Sequence, residues 1–178
     1  MTRDELKALV RTVPDFPEPG IQFRDITTLI GHGAGLSAAI GFMAEHVRAA
    51  DASAIAGMEA RGFIFGAAVA VDLSLGFVPV RKPGKLPVAT LGVDYALEYG
   101  TDRLEIDPGA IGKGKRVVIV DDLIATGGTA LATVELLRNA GAIVDRAVFA
   151  IDLPDLDGAA KLRQAGVEVD ALMAFDGD

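Results

Sequence analysis

The chain contains no cysteine, which removes disulfides and thiol catalysis from consideration. It has two histidines, His32 and His46, too few soft ligands for a structural zinc site, and both read as surface residues. No apolar run approaches the roughly 18–20 residues that a membrane-spanning helix needs. The opening stretch MTRDELKALV is charged and helical in pattern, unlike an apolar secretory leader. Basic residues are the minority: 17 Lys and Arg against 25 Asp and Glu give a net charge of −8. That balance argues against a nucleic-acid surface, because phosphate backbones are held by clustered cations. Two nucleotide-binding signatures are missing as well. GKGKR at 112–116 lacks the Ser or Thr that completes a GxxxxGK[ST] loop, and GHGAGL at 31–36 ends in Leu where GxGxxG needs glycine. These absences point to a cytoplasmic globular protein with no nucleic-acid or membrane partner. A small anionic ligand stays admissible wherever one local basic cluster exists.

What is present is a chain of 178 residues, 51% of them apolar, enough for one domain with a real core. Leu6, Leu9, Val10 and Val13 recur at helical spacing, predicting a helix over 2–13 with Thr2 and Glu5 placed as a capping box. Pro14, Pro17, Pro19 and Gly20 then enforce an irregular segment, and a second helix follows over about 35–49. Short apolar strands at about 53–57, 77–80, 116–121, 145–151 and 168–174 alternate with helices at about 62–74, 127–140 and 158–165. Strands apolar on both faces suit an α/β fold with a central, mostly parallel, twisted sheet flanked by helices. The stretch 86–106 breaks the pattern with Gly92, Gly100 and two tyrosines, and reads as an inserted hairpin or mobile loop. Residues 1–34 read as a small hood.

The chemistry concentrates in VVIVDDLIATGGT, residues 117–129. A central parallel strand ending in Asp121 and Asp122 would deliver both carboxylates to the edge where open α/β sheets bind ligands. The turn at 125–129 leads into a helix from about 127, whose free N–H groups make an anion site. Gly127 and Gly128 let the backbone come close, and Thr126 and Thr129 add hydroxyl donors. The turn wants a phosphate; the carboxylates want hydroxyls, a metal ion or developing positive charge. A sugar phosphate meets both demands. Arg61 follows the first strand of the sheet, and Arg81, Lys82 and Lys85 follow the second, so four cations reach the same rim with only Asp72 opposing them between 61 and 90. A pyrophosphate site would use them.

The 117–129 segment resembles the phosphoribosyl pyrophosphate (PRPP) motif of the type I phosphoribosyltransferases. VPDFPEPGIQFRDIT at 13–27, GMEARGFIFG at 57–66, RKPGKLP at 81–87 and YALEYG at 95–100 are similar to the adenine-specific members of that family. The resemblance implies transfer of 5-phosphoribosyl from PRPP to N9 of adenine, giving AMP and pyrophosphate with Mg²⁺, and a homodimer. It implies that Phe23, by default a core aromatic, stacks on adenine while the main chain of Gln22, Phe23 and Arg24 reads the base edge. Gln22 departs from the aliphatic residue usual there, a change a backbone contact tolerates. Glu59, Ala60 and Arg61 would hold pyrophosphate in a loop with a cis peptide at 59–60. Ala125 stands where relatives acting on 6-oxopurines carry an acid. Glu98 and Tyr99, which the residues alone would leave on the surface, become a catalytic carboxylate and a substrate contact on a flexible loop over 83–100. Val88 stands where relatives often have glycine. Asp121 and Asp122 would stabilise the ribosyl cation and reach the metal, directly or through PRPP. A transferase for another base, or a regulator that senses PRPP, also fits the motif; the regulator would need a DNA-binding appendage that has no room here.

Overall fold

The computed structural model describes residues 1–96 and 100–177. Helix α1 (Arg3–Leu9) opens on the expected capping box: Thr2 Oγ1 accepts from the Glu5 N–H at 3.2 Å, and Glu5 accepts from the Thr2 N–H at 2.7 Å. The helix stops at Leu9, short of the expected Val13. Val10 turns to extended geometry, and β1 (Arg11–Pro14) pairs antiparallel with β2 (Gln22–Asp25), Val13 opposite Phe23. Pairing with β2 takes Arg11–Pro14 out of the helix, and Pro14 keeps Val13 out of the helical region. The ribbon then takes up the backbone groups that a longer helix would have paired.

Helix α2 (Thr27–Ile30) is a single turn, and α3 (Gly33–Ala49) follows. His32 caps α3, its Nδ1 accepting from the Gly35 N–H at 3.0 Å. His32 is exposed, as expected, whereas His46 is half-buried. It lies between Arg3, 3.1 Å from Nε2, and Asp170, 3.2 Å from Nδ1.

The remaining elements are β3 (Ala54–Met58), α4 (Gly62–Leu73), β4 (Gly76–Val80), β5 (Leu91–Ala96), β6 (Thr101–Ile106), β7 (Val117–Ile124), α5 (Gly128–Asn139), β8 (Arg146–Asp152), α6 (Gly158–Gln164) and β9 (Glu168–Ala174). Five strands form one parallel sheet in the order β4-β3-β7-β8-β9. Val117 to Val120 are fully buried because helices cover both faces. On one side α1, α3 and α4 close a core around Phe65, Met43 and Leu29. On the other, α5, α6 and the β5–β6 hairpin close a second around Phe149, Leu136 and Leu137. The sheet grows outward in both directions from β3 and β7, so the switch in strand order falls between these two strands. That is where ligands bind in folds of this kind.

The expected excursion is an antiparallel hairpin, Leu91 opposite Ile106 and Ala96 opposite Thr101. It is anchored to the main sheet where Arg81 and Glu105 exchange backbone bonds of 2.9 and 2.8 Å. No helix among the described residues is long and apolar enough to cross a membrane.

Candidate active site

Strand β7 runs to Ile124, past the acids that were expected to end it. Its last pairing with β3 is Ala56 to Ile119; beyond that the two strands part, while β7 stays bonded to β8 through Ile124. Asp121 and Asp122 therefore sit inside a strand, 8% and 5% exposed, in the gap left by the missing neighbour. A cleft of about 260 Å³ opens there, walled by Glu59, Ala60, Arg61, the two aspartates and the whole turn from Ala125 to Thr129.

Adjacent carboxylates coexist because their environments differ. Asp122 is hydrogen-bonded to the half-exposed guanidinium of Arg61. Asp121 has no such cation; its Oδ1 accepts from the Asp122 N–H at 2.8 Å. Burial, and then the Asp122 charge, push its pKa well above the usual carboxylate range. Gly62 makes this packing possible, since a Cβ there would lie 2.5 Å from Asp121 Oδ1.

The turn is built to leave N–H groups open. Gly127 adopts φ 82°, which favours glycine, and α5 starts without a side-chain cap. Its back is sealed by α6: the Gly158 N–H donates to the Ala125 carbonyl at 3.0 Å, and Lys161 Nζ donates to the Thr126 carbonyl at 3.0 Å. The unpartnered donors of the first turn of α5 thus face the cleft rather than the core.

Arg81 and Lys82 are not free, because carboxylates distant in sequence reach them. Arg81 bonds Glu59 at 3.3 Å and the Lys85 carbonyl at 3.2 Å. Glu59 also accepts from the Lys82 N–H at 3.0 Å, and these bonds hold its pKa below the usual value. Lys82 bonds Asp102 and, at 3.2 Å, the Tyr95 hydroxyl, which lies 3.4 Å from Thr129 Oγ1. Lys85 is exposed. None of Arg81, Lys82 and Lys85 walls the cleft; Arg81 reaches it through Glu59. The Glu59–Ala60 peptide is cis. Glu98 and Tyr99 lie outside the described residues.

Phe23 is half-buried on β2 and walls a second, mostly apolar pocket of about 350 Å³ with Val13, Phe16 and Ile26. Phe16 meets it edge to face, ring centroids 5.1 Å apart at 74°. Nothing in the sequence singles out Phe16; it lies in the loop between β1 and β2, and the pairing of those strands brings its ring to Phe23. Arg61 borders both pockets, so the apolar pocket and the polar cleft adjoin. Asp25 ties the ribbon down. It accepts from the Thr27 hydroxyl at 2.7 Å, the Thr27 N–H at 2.9 Å and Arg11, and these bonds lower its pKa to about 2.

A phosphoribosyl transferase domain matches residues 27–164, which takes in the cleft and most of the sheet. Over 177 residues the chain is 71% identical to an adenine phosphoribosyltransferase of Erythrobacter litoralis, covering 99% of each chain. The chain belongs to the adenine phosphoribosyltransferase family. The adenine phosphoribosyltransferase of Thermoanaerobacter pseudethanolicus superposes with a TM-score of 0.93 at 48% identity, over 98% of this chain and 100% of the other. That of Saccharomyces cerevisiae, solved with adenine and an imino-altritol bisphosphate, gives 0.90 at 38% identity, over 96% and 98%. Membership in the adenine phosphoribosyltransferase family agrees with the five-stranded parallel sheet.

Proposed function

We propose that this protein transfers the 5-phosphoribosyl group of PRPP to N9 of adenine, forming AMP and releasing pyrophosphate. The observation that carries this reading is the junction at Arg61: a phosphate-seeking turn and two carboxylates on one side, an aromatic-walled apolar pocket on the other. One ligand pair spans such a site naturally, a phosphorylated sugar in the cleft and a flat base in the pocket.

The 5-phosphate takes the N–H groups and hydroxyls of residues 126–129, and the ribose hydroxyls donate to Asp121 and Asp122. Glu59, Ala60 and Arg61 receive the pyrophosphate, with Arg81, Lys82 and Lys85 supplying charge behind them. Adenine stacks on Phe23, its edge read by the main chain of 22–24, with Ala125 leaving room where a 6-oxopurine enzyme keeps an acid. As the anomeric C–O bond breaks, positive charge grows on the ribosyl ring while the electron pair leaves with pyrophosphate. Burial makes the negative charge of Asp121 costly in the free protein, and the growing cation offsets that cost. The interaction is therefore stronger in the transition state than in the ground state, as catalysis requires. Adenine N9 attacks from the opposite face. Glu98 either receives the N9 proton or adds negative charge near the ribose, and Tyr99 contacts substrate; both rest on likeness to the family.

Among the described residues no three His, Cys, Asp or Glu side chains converge as a metal cage. Two carboxylates beside a phosphate turn suit Mg²⁺, which keeps several waters and is held through substrate phosphates with one or two carboxylates. Asp121 and Asp122 would hold it, directly or through the ribose hydroxyls of PRPP, and the ion would neutralise charge on the leaving pyrophosphate. The same reading includes a cytoplasmic location and a homodimer. The exposed Ile64 and Val71 on α4 support the latter. Turnover with PRPP across a panel of free bases tests the proposal.

A further inference from the structure

We infer that the segment Phe175–Gly177 is a strap that positions the base-binding ribbon, an inference that rests on the adenine-site reading above. Three consecutive residues after β9 reach α1, β2 and the turn between β8 and α6. The Phe175 N–H continues the sheet pairing by donating to the Asp152 carbonyl at 3.1 Å. Its half-buried ring lies under two cations, Lys7 Nζ of α1 at 4.7 Å and Arg24 Cζ of β2 at 5.0 Å from the ring centroid. Arg24 Nη2 donates to the Asp176 carbonyl at 2.8 Å and lies 3.4 Å from that of Gly177, while its Nη1 donates to Thr12 Oγ1 of β1 at 2.8 Å. The Gly177 N–H donates to Asp155 Oδ2 at 2.8 Å, in the turn between β8 and α6.

The ribbon needs such a fastening. β1 and β2 form a separate two-stranded sheet, marginal by itself and unpaired with the main one. Phe23 and Arg24 are neighbours on β2, so holding the Arg24 side chain on the strap holds the stretch of main chain that reads the base and carries Phe23. At its other end the strap holds Asp155, three residues ahead of Gly158, whose N–H braces the phosphate turn at Ala125. The strap thus joins the base pocket to the back of the phosphate site and sets the spacing that the two substrates have to span.

The test uses the full chain with adenine and PRPP varied separately, and thermal melts in parallel. Phe175→Leu keeps the apolar packing but removes the ring face from both cations. It should raise KM for adenine about fivefold and hold kcat and KM for PRPP within about twofold of the parent, at near-parental melting temperature. Phe175→Tyr should restore the parental KM. Asp155→Ala, at an exposed position, should give the same selective rise, and it carries the test if Phe175→Leu does not fold. An unchanged KM for adenine in the folded variants overturns the strap, and so does a parallel rise in both KM values that follows lost stability. If the parent protein itself does not turn over adenine, the adenine-site reading fails and takes the strap with it. Parental turnover with unaltered variants sinks the strap alone.

Discussion

Substituting Asp121 and Asp122 singly by Asn should move stability in opposite directions while damaging catalysis both times. Asp122 bonds an Arg61 side chain that is 56% exposed, so water screens much of what the pair contributes. A bond to a charged group is worth about 1.5–3 kcal/mol in a protected site, and exposed pairs about 0–1. A loss near ~1 kcal/mol follows, or about 2–4 °C in a chain of this size. Asp121 is the reverse case. Its raised pKa means that the folded protein binds a proton the unfolded chain has released. The contribution of Asp121 is therefore most favourable in acid and is lost as pH rises from the ordinary carboxyl value of 3.8 through the raised value. Asp121→Asn removes that loss, so the variant should melt above the parent at pH 7, with the gap closing as pH falls toward 3.8. Both variants should lose about 10²–10³ in kcat/KM, the scale on which a single electrostatic partner of a charged transition state contributes. Melts from pH 4 to 8 with steady-state kinetics at pH 7.5 measure all of this. An Asp121→Asn protein that melts below the parent at neutral pH would refute the electrostatic account of the pair. A variant at either position with parental kcat/KM would remove that carboxylate from the mechanism.

Phe23→Ala should raise KM for adenine about tenfold, and it should cost less stability than the ~3–5 kcal/mol of a fully buried Phe, because the ring is only half-buried; melts with each ligand separate the two effects. Gly127→Ala meets both a φ of 82° and a Cβ 2.9 Å from Gly158 Cα, at ~1–2 kcal/mol for the left-handed geometry plus ~1–3 for overpacking. The loss should fall on KM for PRPP far more than on KM for adenine. Chelation with EDTA should abolish turnover, and added Mg²⁺ should restore it without shifting the melting temperature of the ligand-free protein, since the ion would be held mainly by substrate.

Much of this was legible in the chain because local pattern and tertiary role agree. VVIV reads as a strand covered on both faces, and its four residues are fully buried in the central strand. ATGGT reads as an anion turn, and Gly127 has the positive φ that such a turn needs. What could not be read depends on partners remote in sequence. The helix expected through Val13 lost its last residues to pairing with Gln22–Asp25, a choice that periodicity over 2–13 does not reveal. The cations at 61, 81 and 82 read as opposed only by Asp72, because Asp122, Glu59 and Asp102 stand up to 61 residues away from the cations they bond. His46 read as a surface residue because Arg3 and Asp170 meet it from opposite ends of the chain. The two aspartates read as equals; only burial and the reach of Arg61 make one paired and the other costly to ionise.

The proposed division of the site gives adenine the pocket beside Arg61 and PRPP the cleft. Its most direct test is turnover of PRPP with Mg²⁺ and, in turn, adenine, hypoxanthine, guanine, xanthine, uracil and orotate, with AMP and pyrophosphate measured as products. Adenine should give stoichiometric AMP and pyrophosphate, and each other base should turn over more slowly by several orders of magnitude. Preference for a 6-oxopurine or a pyrimidine, or PRPP binding without turnover of any base, would contradict that division.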